Sequence, residues 1–341
     1  MTRSNEGKVD MFTVARTAQA VDTAPFNVPG ALKLVAPAKV NLYLEIGAKR
    51  PDGYHEVTTV MHALLLHDVL RMKRVSGDAG RPNEVVPEGG AGPRVALTCR
   101  SVEGVPSVEV APADNIVTKA VLQLAAAVGR CDDETIIIDL EKHIPAEAGL
   151  GGGSSDAAAA LLGVAKLWGL GADDERVEAV ARTLGADVAF FLHGGCSCLS
   201  GAGDEFSHAL EPLRSCVVLL KPAGGVSTAA SYRAFDDDPV TISAADHERA
   251  LSAACAQDVP LRNNMEPASE GLLPVIAEVR TWAQGQPGVS SVLMSGSGSA
   301  LFACCDSLNA ATDLVSAAQA NGWWARSTMF GPARAAIVPR R

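Results

Sequence analysis

A glycine-rich loop at residues 149–155 sets the strongest limits on the architecture of this chain. It is Gly-Leu-Gly-Gly-Gly-Ser-Ser and runs into an alanine-rich stretch that predicts a helix from Asp156 to about Trp168. Backbone N–H groups of consecutive glycines can approach a ligand, and the first N–H groups of a helix are unpaired and lie at its positive end. The pattern therefore predicts a phosphate site. The alternative is a flexible turn in which Ser155 only caps the helix.

Other nucleotide and hydrolase motifs are missing from the sequence. No Gly-Lys-Ser or Gly-Lys-Thr follows the glycines, so the loop is not a Walker A motif. A complete Gly-x-Gly-x-x-Gly pattern does not occur, which leaves a dinucleotide-binding fold without support. The Gly-x-Ser-x-Gly elbow typical of serine hydrolases does not occur either.

Composition restricts the partners and the compartment. The 341 residues carry a formal net charge of -10, which gives no attraction to a nucleic-acid backbone. None of the eight cysteines forms a Cys-x-x-Cys pair, so structural zinc is not expected and the thiols should be reduced. The longest apolar run, 157–165, is far shorter than the ~20 residues that span a bilayer, and no signal-peptide pattern is present. We expect a cytoplasmic protein with no membrane, nucleic-acid or obligate protein partner.

Alternating apolar and polar residues predict a strand that begins near Leu32, with its even-numbered residues in a core. Lys39 and Asn41 are odd-numbered and are predicted to share the opposite, non-core face. Pro37 predicts an interruption or an edge position, because proline cannot donate to a neighbouring strand. Lys39 could offset phosphate charge, although an isolated strand lysine is more often a solvated surface residue.

Further polar groups lie where they could take part in chemistry. Asp187 is the only carboxylate in the apolar stretch 184–192, so it is either a general base or a helix cap. The segment 295–299, Ser-Gly-Ser-Gly-Ser, lies between two apolar strands and either cradles a phosphate or forms a hairpin turn. His55 directly follows Tyr54, and this neighbouring aromatic could form a stacking pocket.

The succession of elements predicts an α+β fold with two domains. Residues 1–30 show no clear period and are predicted to be a poorly ordered extension. The predicted N-terminal domain spans 31–212 and carries the phosphate-binding loop, and a second α+β domain spans 213–331. Residues 332–341 are predicted to be a tail.

Individual elements are also predicted within these domains. In the first domain we predict a turn at 50–53, a strand at 57–70, a surface loop at 75–94, a helix capped by Asp114 that ends at Gly129, a strand at 135–140 and a helix at 174–184. In the second domain we predict strands at 216–221, 291–294, 300–304 and 323–329, and helices at 244–256, 268–283 and 307–320.

Three segments, in their order along the chain, resemble the signature motifs of the GHMP kinases. They are Pro37-Ala-Lys39-Val-Asn41-Leu, the stretch 144–157 and the turn 295–299. Within that superfamily, three features resemble the branch that phosphorylates 4-diphosphocytidyl-2-C-methyl-D-erythritol. These features are Pro51-Asp-Gly-Tyr-His55, the longer loop at 149–155 and Leu184-Gly-Ala-Asp187-Val. The similarity runs from about 32 to 330.

This resemblance implies a two-domain GHMP kinase fold with the active site in the interdomain cleft. It implies transfer of the γ-phosphoryl group of ATP to the 2-hydroxyl of that substrate, a step of non-mevalonate isoprenoid synthesis. Asp187 would be the general base and Lys39 its electrostatic partner. The substrate would be bound by Asn41, Tyr54, His55, Thr228 and Tyr232. ATP would be bound by Lys142, Gly149, Leu150, Gly151, Gly152, Gly153, Ser154 and Ser155. Mg²⁺ is expected with ATP, and its protein ligands are unknown.

Two alternatives remain open at this point. One is another GHMP kinase that acts on homoserine or a mevalonate derivative, and the other is a catalytically inactive relative that only binds ligands. The chain also departs from the family pattern at two positions. Ala189 replaces a frequent proline, which could loosen the turn that holds Asp187. Glu147 places a carboxylate at the start of the phosphate loop, where it would repel phosphate unless it faces solvent or assists a metal.

Overall fold

The computed structural model describes residues 24–339 except 52, 82, 83, 88, 108 and 172, so residues 1–23 of the predicted extension lie outside it. The strands are β1 Leu32–Lys49, β2 His55–Ser76, β3 Glu84–Val85, β4 Arg94–Ser101, β5 Glu134–Lys142, β6 Cys196–Ser200, β7 Glu205–Ala209, β8 Cys216–Lys221, β9 Arg262–Asn263, β10 Val289–Met294, β11 Leu301–Cys305, β12 Trp324–Met329 and β13 Ala336–Ile337. The helices are α1 Ile116–Ala127, α2 Gly152–Trp168, α3 Glu175–Leu184, α4 Ala186–His193, α5 Thr228–Asp237, α6 Ala244–Ser252, α7 Glu266–Leu272, α8 Val275–Gln284 and α9 Leu308–Ala320. Of these helices, none is both long and apolar enough to cross a bilayer.

The first sheet is built around two long antiparallel strands, β1 and β2. Its central order is β13-β1-β2-β5-β4-β3, with β6 and β7 attached beyond β2 and β9 running parallel to β1. Helices α1 to α4 cover one face, and the buried core there includes the alanine-rich face of α2. Small alanine side chains let α2 lie close to the sheet, which fixes the position of the loop that precedes the helix.

Both faces of β1 are buried in its middle, so the alternative of a solvated Lys39 is wrong, and so is the prediction that this face lies outside a core. Lys39 is 4% exposed and Asn41 is 3% exposed. The two side chains do project together as predicted, and they point into the protein because other elements cover that face. Pro37 does not interrupt the strand. It lies between the segments of β1 that pair with β13 and β9, and a register shift against β2 follows it.

The second sheet has the order β10-β11-β8-β12 and is antiparallel throughout. Helices α8 and α9 pack on it and form a separate apolar cluster with β8 and β11. A further cluster joins the sheets, because side chains of β1 and β2 pack against those of β8 and β11. The two parts of the chain therefore share a continuous apolar contact beside the phosphate loop.

Some predicted boundaries were wrong. Asn115 rather than Asp114 caps α1, and its side chain accepts from the N–H of Val117 at 2.9 Å. Both residue types are good caps, so the sequence alone did not separate them. Helix α2 begins at Gly152, so Ser155 lies inside the helix and does not cap it. The predicted helix at 268–283 is divided into α7 and α8 near Pro274.

Several short elements were missed because their patterns are weak. Helices α4 and α5 and strands β3, β4, β6, β7, β9 and β13 were not predicted. Strand β13 falls within the predicted tail, and its residues pair with Leu34 and Val35 of β1. Two-residue strands form only because a long strand is already in place beside them, and no sequence period marks them.

Candidate active site

Two glycines in the left-handed backbone region shape the phosphate loop. Gly149 has φ 70° and Gly151 has φ 69°, and Gly151 caps α2 without a side-chain hydrogen bond. A Cβ on Gly151 would lie 2.8 Å from the Phe191 ring and 3.0 Å from Cγ of Lys39. The glycines therefore let the backbone pass directly over Lys39. Because no side chain caps α2, its first N–H groups are left for an anion.

The turn at 295–299 packs against this loop from the second sheet. It connects β10 to β11, and the Ser295 hydroxyl donates to the carbonyl of Gly149 at 2.8 Å. The N–H of Ala300 donates to the carbonyl of Ala148 at 3.2 Å, and that of Ser299 to Glu147 at 3.3 Å. The two glycine-rich segments are thus joined by backbone contacts, although 146 residues separate Gly149 from Ser295.

Lys39 and Asp187 are brought together from β1 and the first turn of α4. The Lys39 ammonium lies 3.6 Å from the Asp187 carboxylate, with side-chain exposures of 5% and 35%. It also donates to Asn41 Oδ1 at 2.7 Å, and Asn41 donates to the Thr59 hydroxyl at 2.8 Å. These hydrogen bonds fix the Lys39 ammonium, while the Asp187 carboxylate stays accessible.

The Lys39–Asp187 pair faces a cavity of about 200 Å³ between β1, β2, α4, α5 and the 295–299 turn. Its lining includes five of the predicted site residues, which are Lys39, Asn41, Asp187, Thr228 and Tyr232. The Thr228 hydroxyl lies 2.9 Å from that of Ser297, so α5 contacts the turn. A larger groove of about 1090 Å³ borders α2, α3 and α4, and no predicted site residue lines it. The smaller cavity is the candidate site because it holds the reactive groups.

An aromatic pocket lies beside this cavity. The rings of His55 and Tyr232 have centroids 5.2 Å apart at 34°, and Phe235 contacts His55 edge-on at 6.4 Å. His55 is 7% exposed, whereas Tyr54 is 67% exposed. Burial raises the pKa of the Tyr232 hydroxyl, and the nearby Asp187 carboxylate raises it further. The rings of Tyr54 and Tyr232 can stack on the two sides of a planar ligand whose edge meets His55.

Lys142 is part of a buried ionic cluster that the sequence did not predict. Its ammonium contacts the carboxylates of Asp68 and Asp156. Burial lowers the pKa of Lys142, but the two carboxylates outweigh it, so the net shift is upward. Asp68 also accepts the backbone N–H groups of His143 and Ile144. Asp68 thereby fixes the segment that leads from β5 into the phosphate loop.

The two departures from the family pattern have local explanations. Ala189 donates its N–H to the carbonyl of Gly185 at 3.4 Å, a hydrogen bond that proline could not make. Alanine at this position therefore stabilises the start of α4. Glu147 has φ 50° and lies beside Gly225 of the segment after β8. Burial lowers the pKa of the Lys221 ammonium, and the Glu147 carboxylate partly offsets this by raising it. Glu147 thus faces the second part of the chain.

Comparison with known proteins identifies the class to which this fold and site belong. Residues 115–195 match the family described as GHMP kinases N terminal domain, and residues 242–323 match GHMP kinases C terminal. A homoserine kinase structure from Cytophaga hutchinsonii has a TM-score of 0.63 at 17% identity, covers 91% of this chain and 98% of that one, and shares the fold. The chain has the two-domain GHMP kinase fold, with a mixed content of helix and strand.

More similar relatives identify the particular family. A protein of Desulfitobacterium hafniense (strain Y51), named 4-diphosphocytidyl-2-C-methyl-D-erythritol kinase, is 38% identical over 80% of this chain and 86% of its own length. One of the same name from Nocardia farcinica (strain IFM 10152) is 37% identical over 91% and 97%. A crystal structure of 4-(cytidine 5'-diphospho)-2C-methyl-D-erythritol kinase has a TM-score of 0.67 at 32% identity and covers 88% and 99%. The chain belongs to the 4-diphosphocytidyl-2-C-methyl-D-erythritol kinase family of enzymes.

Proposed function

We propose that this protein transfers the γ-phosphoryl group of ATP to the 2-hydroxyl of 4-diphosphocytidyl-2-C-methyl-D-erythritol, with Asp187 as general base and Lys39 as its electrostatic partner. The observation that carries the proposal is the 3.6 Å pair of Lys39 and Asp187, which lies under the phosphate loop and beside an aromatic pocket. The product would serve non-mevalonate isoprenoid synthesis.

The physical requirements of phosphoryl transfer fit these groups. Such reactions depend on positioning and on stabilisation of charge rather than on covalent chemistry with the protein. Asp187 is partly exposed to the cavity and can accept the hydroxyl proton, while the buried Lys39 can offset charge that develops on the acceptor oxygen. Lys39 is already held by Asn41, so little reorganisation is needed.

The nucleotide would be held by residues 149–155. The unpaired N–H groups at the start of α2 can bind phosphate oxygens, and the ammonium of Lys142 lies close to Gly152. Mg²⁺ would arrive with ATP and offset the phosphate charge. The described residues contain no group of three His, Cys, Asp or Glu side chains suited to a metal, so phosphate oxygens and water would supply most ligands.

The aromatic pocket favours a cytidine-containing acceptor over homoserine or mevalonate. Tyr54 adjoins His55 in the sequence, and the Tyr232 ring contacts that of His55. Stacking of a base on these tyrosines would contribute about 1–3 kcal/mol by analogy with single-stranded nucleic-acid sites. Asn41 and Thr228 line the same cavity as Tyr232 and Asp187. Binding of the base would thus position a distant hydroxyl next to the general base.

A coupled assay of ADP release tests the proposal directly. Wild-type protein with Mg-ATP should release ADP only when 4-diphosphocytidyl-2-C-methyl-D-erythritol is present. Asp187→Asn and Lys39→Met should lower kcat by about 10²–10⁴-fold, because each removes a group that acts in the transition state. Asp313→Asn on the exposed face of α9 makes the same side-chain change far from the site and should retain activity. Turnover of homoserine or mevalonate instead, or full activity of Asp187→Asn, would refute the assignment.

A further inference from the structure

The carboxylate of Asp236 contacts the buried His55 from the last turn of α5. Nε2 of His55 lies 2.6 Å from Asp236 Oδ1, and the ammonium of Lys49 donates to Asp236 Oδ2 at 3.2 Å. These two contacts keep the pKa of Asp236 below its usual value, with Lys49 as the larger cause. Asp236 therefore remains a carboxylate, which can accept hydrogen bonds and cannot donate one.

This contact determines where a neutral His55 ring carries its proton. A carboxylate next to Nε2 requires the hydrogen on Nε2, which leaves Nδ1 as an acceptor. Among the described residues, none hydrogen-bonds to Nδ1, and Nδ1 is not one of the fully buried unpaired side-chain atoms. The acceptor nitrogen is therefore open to a ligand in the aromatic pocket.

The pyrimidine bases differ at the position that such an acceptor would contact. Cytosine carries a 4-amino group, which donates, and uracil carries a 4-carbonyl oxygen, which accepts. We infer that Asp236 is a specificity-determining positioning residue, which holds the His55 proton on Nε2 so that Nδ1 accepts from the cytosine amino group and disfavours uracil. The inference rests on the proposed function, since it concerns the base of the same acceptor.

Selectivity between cytidine and uridine diphosphates tests this role without relying on phosphoryl transfer. Calorimetric titrations would be made with saturating Mg-ADP, so that the added nucleotide reports on the aromatic pocket. The wild type should bind CDP at least about tenfold more tightly than UDP, because UDP leaves the Nδ1 acceptor unpaired. Asp236→Asn should bring the ratio towards one, because an amide can either donate to Nε2 or accept from it. Asp237→Asn changes the neighbouring exposed carboxylate and should keep the wild-type ratio.

Nitrogen NMR of the imidazole gives a second readout that a merely structural role would not change. The wild-type spectrum should show the hydrogen of His55 on Nε2, and Asp236→Asn should show a mixture of both tautomers. A hydrogen on Nδ1 in the wild type, equal affinity for CDP and UDP, or an equal loss of both in Asp236→Asn would overturn the inference. CDP selectivity without phosphoryl transfer would refute the proposed function and leave the inference supported.

Discussion

Replacement of Gly149 by alanine should uncouple the two glycine-rich segments of the site. Gly149 has φ 70°, where an alanine costs about 1–2 kcal/mol of backbone energy. A Cβ there would also lie 2.9 Å from the carbonyl carbon of Ser295 and 3.2 Å from the nitrogen of Gly298, and closer still to the Ser295 oxygen. These neighbours are backbone atoms, so the clash cannot be relieved by a side-chain rotation.

Gly169→Ala is the matched control for the energy of placing alanine in the left-handed backbone region. Gly169 ends α2 with φ 74°, and a Cβ there would meet no atom within 4 Å. Gly169→Ala should therefore lose only about 1–2 kcal/mol of unfolding free energy. Gly149→Ala should lose about 1–3 kcal/mol more, the usual range for overpacking in a close-packed region.

Two measurements separate the backbone cost from the clash. Urea unfolding of both variants and the wild type would give the difference in stability. Calorimetric binding of Mg-ATP would show whether the phosphate loop has moved. We expect Gly169→Ala to bind ATP like the wild type and Gly149→Ala to bind it at least about tenfold more weakly, because the loop and the 295–299 turn must separate. Equal stability of the two variants with unchanged ATP affinity would refute the role of this contact.

Two further predictions concern buried ionisable groups. Asp68→Asn should weaken ATP binding about tenfold, because it frees Lys142 and the segment that leads into the phosphate loop. The control is Asp139→Asn, which also removes a buried carboxylate, one that is paired with arginines. This control should leave ATP binding unchanged. Calorimetric titration checks this, and equal weakening in both would contradict it. Burial lowers the pKa of His62 from 6.5 to about 4. Between these two pH values the unfolded state binds more protons than the folded state, so the free energy of unfolding falls as the pH is lowered from 6.5 towards 4. Between pH 7.5 and 5 the wild type should lose about 2 kcal/mol more unfolding free energy than His62→Gln, as measured by urea unfolding, and parallel pH profiles would contradict the prediction.

The local structure of the candidate site was partly predictable because some of its segments have a clear sequence pattern. Strict alternation along β1 placed Lys39 and Asn41 on one face, and the structure confirms this shared face and adds a hydrogen bond between the two side chains. The glycine run before an apolar helix predicted a loop at the start of α2, where the structure has one. What the alternation did not reveal is that this face is buried, because burial depends on α4 and on the loop that passes over it.

The side chains that pair with Lys142 and His55 come from distant parts of the chain and were not predicted. Asp68 lies 74 residues before Lys142, and Asp236 lies 181 residues after His55. A usable signal existed for Asp68, since a carboxylate inside the apolar stretch of β2 must find a partner when buried. No comparable signal marked Asp236, because it lies among three consecutive aspartates at the end of an unpredicted helix.

The arrangement of contacts explains why the site depends on both parts of the chain. The proposed general base Asp187 and its proposed partner Lys39 come from α4 and β1, whereas Thr228 and Tyr232 on α5 lie after β8. The two groups are held in register by the Ser295–Gly149 hydrogen bond and by the contact of Thr228 with Ser297 in the same turn. A displacement of that turn would therefore move the phosphate loop and the acceptor pocket relative to each other. Since phosphoryl transfer relies on alignment, small packing changes at the turn should reduce kcat even where Lys39 and Asp187 are intact.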